Sequence, residues 1–160
     1  MSNIKIRKAK KADRAAISRL TKKYPDTLDR SPREITKMIG NFWVAENSRG
    51  EIVGCCGARM WGRDAEIIAW IVAEKHRRKG IAKKILLALI KNLKKKKSVR
   101  NIFALTVPPL DKKYFRPLGF RPTGLQMFSA KVIEECQNCP KNRFRNGRYQ
   151  CNEIALVLKR

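Results

Sequence analysis

Acidic residues are scarce in this chain: 13 Asp and Glu stand against 38 Lys and Arg in 160 residues, a net charge of +25. A field of that size favours anionic partners, whether nucleic acid, membrane surface, phosphorylated cofactor or carboxylate substrate. It is also what a lysine-rich solvated surface produces, because the lysines are scattered as well as clustered. Long apolar runs are missing, so no segment reaches the length of a transmembrane helix and no membrane role is expected. The start "MSNIKIRKAKKADRAA" has no continuous apolar stretch of the export type, which points to a cytoplasmic protein. Neither GxxxxGK[ST] nor GxGxxG occurs, which removes the common nucleotide-binding loops. No internal repeat or linker is visible, and aromatic residues are not interleaved with the basic runs as stacking on nucleic acid requires. Nucleic acid is therefore expected to bind only non-specifically, through charge.

What is present reads as one domain over 1–160 of α/β (α+β) class. Ile4 and Ile6 alternate with polar neighbours, as in a strand. Ala12, Ala16, Ile17 and Leu20 share a helical face, and Pro25 closes that helix. In "RSPREITKMIG" Ser31 is placed to cap a second helix, Pro32 suits its first turn and Gly40 stops it. "NFWVAEN" and "EIVGCCGARMW" are strands joined by a turn over 47–50, and "AEIIAWIVA" is a third strand, apolar throughout. From Gly80 to Lys95 the apolar period changes to that of an amphipathic helix, and Lys94 to Lys97 complement its C-terminal dipole. A strand at "RNIFALTV", a short helix at "LDKKYFRPLGF", a further strand and a last strand at "NEIALVL" complete the order β-α-α-β-β-β-α-β-α-β-β, a mixed sheet flanked by helices. The cysteine-bearing stretch 130–151 reads as a loop inserted before the last strand.

The stretch "EKHRRKGIAKK" carries seven basic side chains, counting His76, around one glycine. Its position matters more than its charge. A strand, a basic turn, a glycine and an amphipathic helix make an anion site, because the first helical turn leaves backbone N–H groups without intrahelical partners. Gly80 allows the tight turn and close approach of an anion, and Arg77, Arg78, Lys79 and Lys83 add charge-assisted contacts.

This segment resembles the pyrophosphate-binding motif of the GNAT N-acetyltransferase superfamily, Arg/Gln-x-x-Gly-x-Gly/Ala, at Arg77, Gly80 and Ala82. "YFRPLGF" is similar to the superfamily's later helix-to-strand turn, and the element order agrees over nearly the whole chain. A narrower resemblance, to small single-domain bacterial N-acetylglutamate synthases and their acetyltransferase relatives, is carried by "RSPREITKMIGNFWVAE", "AEIIAWIVAEKHRRKGIAKKIL", "IFALTVP" and "CQNCP…CNEIALVL". Ile68, where many of those proteins have arginine, and a longer cysteine loop depart from that subgroup. The resemblance implies the GNAT fold, a mostly antiparallel mixed sheet, with acetyl-CoA as donor and the primary amine of a small acceptor, the α-amine of glutamate or a related amino acid, as target. A protein N-terminus, a lysine, a polyamine or another small amine is the alternative acceptor. A non-catalytic module associated with nucleic acid or the ribosome is the alternative of another class. A homodimer is compatible with the resemblance.

On the same basis Trp70, Ile71 and Val72 would line the pantetheine, and the N–H groups of Arg78, Lys79, Gly80, Ile81 and Ala82 would hold phosphate. Glu66, the one acid within an apolar strand, is the candidate general base, since burial raises a carboxyl pKa toward useful values; the plainer alternative is a glutamate facing solvent or paired with an arginine. The superfamily often places a tyrosine where this chain has Phe115. The nearest hydroxyl is that of Tyr114, turned by ~100° on a helix, and Tyr114 is the candidate general acid. Arg30 and Arg59 are candidates for clamping acceptor carboxylates, with plain surface charge as the alternative. Cys136, Cys139 and Cys151 have the spacing C-x2-C-x11-C, which suits either a structural zinc one ligand short or reduced thiols in a loop. Cys55 and Cys56 lie in an apolar strand and read as core residues.

Overall fold

The computed structural model describes residues 3–141, 144–146, 148–149 and 151–159. It divides into two compact units, Met1–Arg59 with Ile67–Lys97 and Met60–Glu66 with Ser98–Arg160. The α/β class with mostly antiparallel pairing, expected from the sequence, is what the structure shows.

The first unit carries strands β1 (Lys5–Lys8), β2 (Phe42–Glu46) and most of β3 (Ile52–Trp61) and β4 (Asp64–Val72), in the spatial order β1-β2-β3-β4. Its helices are α1 (Arg14–Lys23), α2 (Pro32–Met38) and α3 (Ile81–Lys95). Strand β2 pairs antiparallel with both neighbours, setting Ala45 opposite Ile6 and Gly54. The β2–β3 turn forms because Asn47 Oδ1 accepts from the N–H groups of Arg49 and Glu51, at 3.0 and 2.9 Å, and Gly50 supplies a left-handed φ of 79°. Helix α2 starts as the sequence requires: Ser31 Oγ accepts from Glu34 N–H, and Glu34 reaches back to Ser31 N–H at 2.8 Å, a reciprocal cap. Ahead of α1, Asp13 accepts from Arg7 at 2.8 and 3.0 Å and from the Lys10 N–H at 2.7 Å, which turns β1 into the helix.

Apolar periodicity places the core. Ile17 of α1, Ile35 of α2, Phe42 and Val44 of β2 and Cys55 of β3 are fully buried together, and Ile85, Leu86, Leu89 and Leu93 form the buried stripe of α3. Gly57 is dictated by Phe42, because a Cβ there would sit 2.4 Å from the phenyl ring.

In the second unit β9 (Ile154–Lys159) lies between β5 (Asn101–Thr106) and β6 (Arg121–Thr123), antiparallel to both, so that Val157 faces Phe103 on one side and Arg121 on the other. The expected short helix before β6 is a π turn over Asp111–Phe115 running into a 3-10 turn, Arg116–Leu118. Phe115 is buried there and meets Phe120 edge-on, with ring centroids 5.3 Å apart. Phe103 and Phe128 stack at 3.7 Å over Trp61 and Val157.

Two features of this unit differ from the sequence reading. A helix, α4 (Ser129–Glu134), opens the stretch expected to be loop, and a short hairpin pairs β7 (Phe144–Arg145) with β8 (Arg148–Tyr149). The reason is visible in α4, which turns a lysine inward and an isoleucine outward: Lys131 is 4% exposed and Ile133 61%. Apolar periodicity finds helices that bury apolar side chains, and this one buries a charge.

Candidate functional site

In the first unit, β4 leads into a turn with an unusual backbone. Ala69 takes a left-handed φ of 50° in mid-strand, a conformation that costs a non-glycine residue energy and marks an irregular strand. Its carbonyl accepts from Cys55 Sγ at 3.2 Å. Burial pushes the Cys55 thiol up to about 12, which makes it an inert core group. Trp70 reaches forward and donates its indole N–H to the Ala82 carbonyl at 2.9 Å, tying β4 to the first turn of α3. Ile71 and Val72 are buried.

Two more left-handed residues follow, Arg78 at 62° and Gly80 at 73°, and Gly80 is the residue on which α3 starts. The first helical bond runs from Lys84 N–H to Gly80 O, which leaves the N–H groups of Ile81, Ala82 and Lys83 without intrahelical acceptors. A Cβ at Gly80 would meet nothing within 4 Å, so the turn is open on that side. Arg78, Lys79 and Lys83 are exposed around it. Successive N–H groups on alternating backbone conformations, at a helix start and among cations, form a concave donor for phosphate. The residues present therefore fit a phosphate-bearing cofactor.

Arg77 is the member of the motif that the structure places differently. Its Nε donates to the Val72 carbonyl at 2.9 Å, and its guanidinium lies 4.9 Å from the centroid of the Tyr24 ring. Tyr24 in turn accepts the Glu74 N–H on its hydroxyl at 2.9 Å. Nothing in the local sequence announces Tyr24, since the contact joins residues 50 positions apart.

Glu66 belongs to the second unit and is 4% exposed. It does not face solvent, and its charged partner is a lysine rather than an arginine. Oε1 is 2.9 Å from Lys131 Nζ, and Oε2 accepts from Trp61 Nε1 at 2.8 Å. Lys131 also pairs with Glu135 one turn on, and lies 5.8 Å from the Trp61 ring centroid. Burial raises the Glu66 carboxyl above the usual carboxylate range, against the opposing pull of Lys131 and Trp61. The Lys131 ammonium is drawn down by burial but held up overall by Glu66 and Glu135. Lys131, Trp61 and Glu135 escape a sequence reading because a buried lysine is one among 38 basic residues.

Tyr114 is half-buried on the π turn, with Lys113 Nζ 5.3 Å from its ring, while Phe115 takes the inward position. Arg30 is 4% exposed, so it is not a surface charge; its carbonyl accepts from Ser18 Oγ at 2.7 Å and its N–H donates to Thr21 Oγ1 at 3.0 Å. Arg59 is half-buried on β3. Cys136 and Cys139 are half-buried at the two ends of one tight turn and Cys151 is exposed. Burial raises the Cys136 thiol. Among the described residues no three His, Cys, Asp or Glu side chains are grouped to hold a metal ion, so the zinc suggested by the cysteine spacing has no arranged site there. Among the described residues no helix is long and apolar enough to cross a membrane.

Comparison with known proteins gives these features a context. The profile of the acetyltransferase (GNAT) family matches residues 12–120, a stretch that takes in the whole Gly80 turn and the "YFRPLGF" segment. An uncharacterized N-acetyltransferase of Chlorobaculum tepidum is 33% identical over 156 residues, 95% of this chain and 94% of that protein. Among solved structures, N-acetylglutamate synthase from Neisseria gonorrhoeae, complexed with coenzyme A and N-acetyl-glutamate, superposes with a TM-score of 0.73 at 21% identity. That match covers 99% of this chain, which spans only 35% of the synthase. Diaminobutyrate acetyltransferase from Paenibacillus lautus, in complex with its substrate and coenzyme A, superposes at 0.65 with 22% identity, covering 99% of this chain and 96% of that one. At such identities the two structures speak for the fold, and the family profile and the Chlorobaculum relative carry the assignment. The chain thus belongs to the acetyltransferase (GNAT) family and is an acetyl-CoA-dependent N-acetyltransferase.

Proposed function

We propose that the acceptor is the α-amine of a small amino acid, glutamate or a close relative. The observation that carries this reading is the run of motifs shared with small N-acetylglutamate synthases, "RSPREITKMIGNFWVAE", "AEIIAWIVAEKHRRKGIAKKIL" and "IFALTVP". The fold shared with a synthase complexed with coenzyme A and N-acetyl-glutamate supports it. So does the scarcity of acidic residues, because a chain with a net charge of +25 draws an anionic acceptor.

When bound, acetyl-CoA supplies an acetyl group activated as a thioester. The chain's own residues must hold its phosphates, take a proton from the incoming ammonium and orient the acceptor. The N–H groups of residues 78–82, with Arg78, Lys79 and Lys83, would hold its phosphates, and Trp70, Ile71 and Val72 would line its pantetheine arm. Glu66 takes the proton: its two oxygens already accept from Lys131 and Trp61, but a carboxylate has about four acceptor sites, and burial keeps its basicity high. Arg59 and Arg30 would hold the acceptor carboxylates, and Tyr114 would be the residue that gives a proton to the thiol side of the broken thioester.

The test is the ratio of kcat/KM for acetyl-CoA turnover against glutamate, glutamine, 2,4-diaminobutyrate, spermidine and a lysine peptide. Preference for glutamate or glutamine is expected, and it should fall with Arg59→Met. Turnover confined to diaminobutyrate, spermidine or the peptide overturns the acidic-acceptor reading and leaves the family assignment standing.

A further inference from the structure

We propose that Tyr24, just past the C-terminal end of α1, is a positioning residue that holds the phosphate-binding turn in shape through Glu74 and Arg77, and so sets the affinity for the phosphate end of acetyl-CoA. The inference rests on the reading of the Gly80 turn as the coenzyme phosphate site, and it assigns Arg77 a latch role in place of a direct phosphate contact.

The turn has a problem to solve before any ligand arrives. It carries Arg77, Arg78 and Lys79 in succession, with Lys75 and Lys83 nearby in sequence, so like charges push it open. It must also keep Arg78 and Gly80 left-handed for its N–H groups to converge. A turn that orders only on binding gives up part of its binding energy to that ordering.

Two contacts from the turn meet at Tyr24. Its hydroxyl accepts the Glu74 N–H at 2.9 Å, fixing the first residue of the 3-10 turn Glu74–His76. Its ring face takes the Arg77 guanidinium at 4.9 Å, which turns one of the three successive cations away from its neighbours. That orientation lets Arg77 Nε reach back to the Val72 carbonyl at 2.9 Å and close the segment 72–77 on itself. The backbone inside the closed segment is bonded in step: Ala73 N–H to Val53 O at 2.8 Å, His76 N–H to Ala73 O at 2.8 Å and Arg77 N–H to Glu74 O at 3.1 Å. Tyr24 can serve as an anchor because its own N–H is bonded to Leu20 O at 3.2 Å, at the end of a helix whose Ile17 and Leu20 are in the core. Lys23 Nζ also lies 5.7 Å from the centroid of that ring.

The experiment is calorimetric titration of the full chain with coenzyme A and with S-acetylpantetheine, which shares the pantetheine arm but has no phosphate. Wild type, Tyr24→Phe, Tyr24→Leu, Arg77→Met and the Tyr24→Leu/Arg77→Met double variant are compared. Losing the hydroxyl alone in Tyr24→Phe is expected to weaken coenzyme A binding by roughly 3- to 10-fold. Losing hydroxyl and ring face in Tyr24→Leu is expected to weaken it by roughly 10- to 100-fold. Binding of S-acetylpantetheine should not move. The double variant should be no weaker than the worse single one, because the two residues act as one device. Equal losses for both ligands would show a general structural role and overturn the proposal. So would full coenzyme A affinity in Tyr24→Leu, or additive losses in the double variant, which would make Arg77 an independent phosphate contact. Failure of the wild type to bind coenzyme A would instead remove the cradle reading itself, an outcome no variant can mimic.

Discussion

Lys131 Nζ lies 2.9 Å from Glu66 Oε1, and neither side chain is more than 5% exposed. Two charges so deeply placed depend on each other, because a buried charge that loses its counter-ion is costly. Lys131→Met leaves the buried Glu66 carboxylate without this cation and is expected to cost about 3–5 kcal/mol. Glu66→Gln keeps an acceptor for Trp61 and leaves Lys131 its Glu135 partner, so it should cost clearly less. Urea unfolding of the two variants checks the order, and a more stable Lys131→Met than Glu66→Gln would contradict it.

The same cluster fixes a pH dependence. The Glu66 carboxyl is raised by burial, with Lys131 and Trp61 pulling it down and Glu135 pushing it up. In its proposed role as base Glu66 must be ionised, so kcat/KM should rise with pH through that raised pKa. Removing the cation in Lys131→Gln should move the acid limb of the profile to higher pH, and removing the neighbouring anion in Glu135→Gln should move it lower. A limb that stays in place in both variants would deny Glu66 the role of base.

Asp13 gives a second pH signature, in stability. Arg7, at 2.8 Å, holds the Asp13 carboxyl below the usual carboxylate range. An acid with a depressed folded-state pKa contributes stability above its unfolded pKa and loses it as pH falls through the folded value. Arg7→Met removes this contribution, so its acid-unfolding midpoint is expected at higher pH than that of the wild type. Coincident acid transitions would contradict the assignment.

Two glycines separate fold from function. Gly57→Ala drives a Cβ into the Phe42 ring, 2.4 Å away, and should lower Tm without selectively changing coenzyme A affinity in the folded fraction. At Gly80 an added Cβ meets no neighbour, but Gly80→Val places a branched side chain at a φ of 73° on the open side of the cradle. It should cost about 1–3 kcal/mol of stability and abolish coenzyme A binding. Thermal unfolding and calorimetry on both variants distinguish the two effects, and retained coenzyme A affinity in Gly80→Val would contradict the cradle.

The Gly80 turn was legible because its signal is local: an apolar strand, a glycine and a 3.6-residue apolar period lie side by side in sequence, and the family motif overlays them. Ser31 and Pro32 announced α2 in the same way, since capping is a matter of adjacent residues. Glu66 stood out as a lone acid in an apolar strand. Its partner did not, because Lys131 sits on a helix whose buried position is filled by charge, which apolar periodicity passes over. Tyr24 was hidden for a different reason. Its value lies in a backbone N–H and a guanidinium some 50 positions away, and only the folded chain brings them together. The proposed acceptor side is the least local of all, since Arg30 and Arg59 each look like any other basic residue of a +25 chain.

The most direct measurement is acetyl transfer from isotope-labelled acetyl-CoA to glutamate, with products followed by mass spectrometry. The account predicts labelled N-acetylglutamate formed in step with free coenzyme A, saturable in both substrates and lost in Gly80→Val. Release of coenzyme A that is indifferent to every amine offered, or no labelled amide at all, would contradict it.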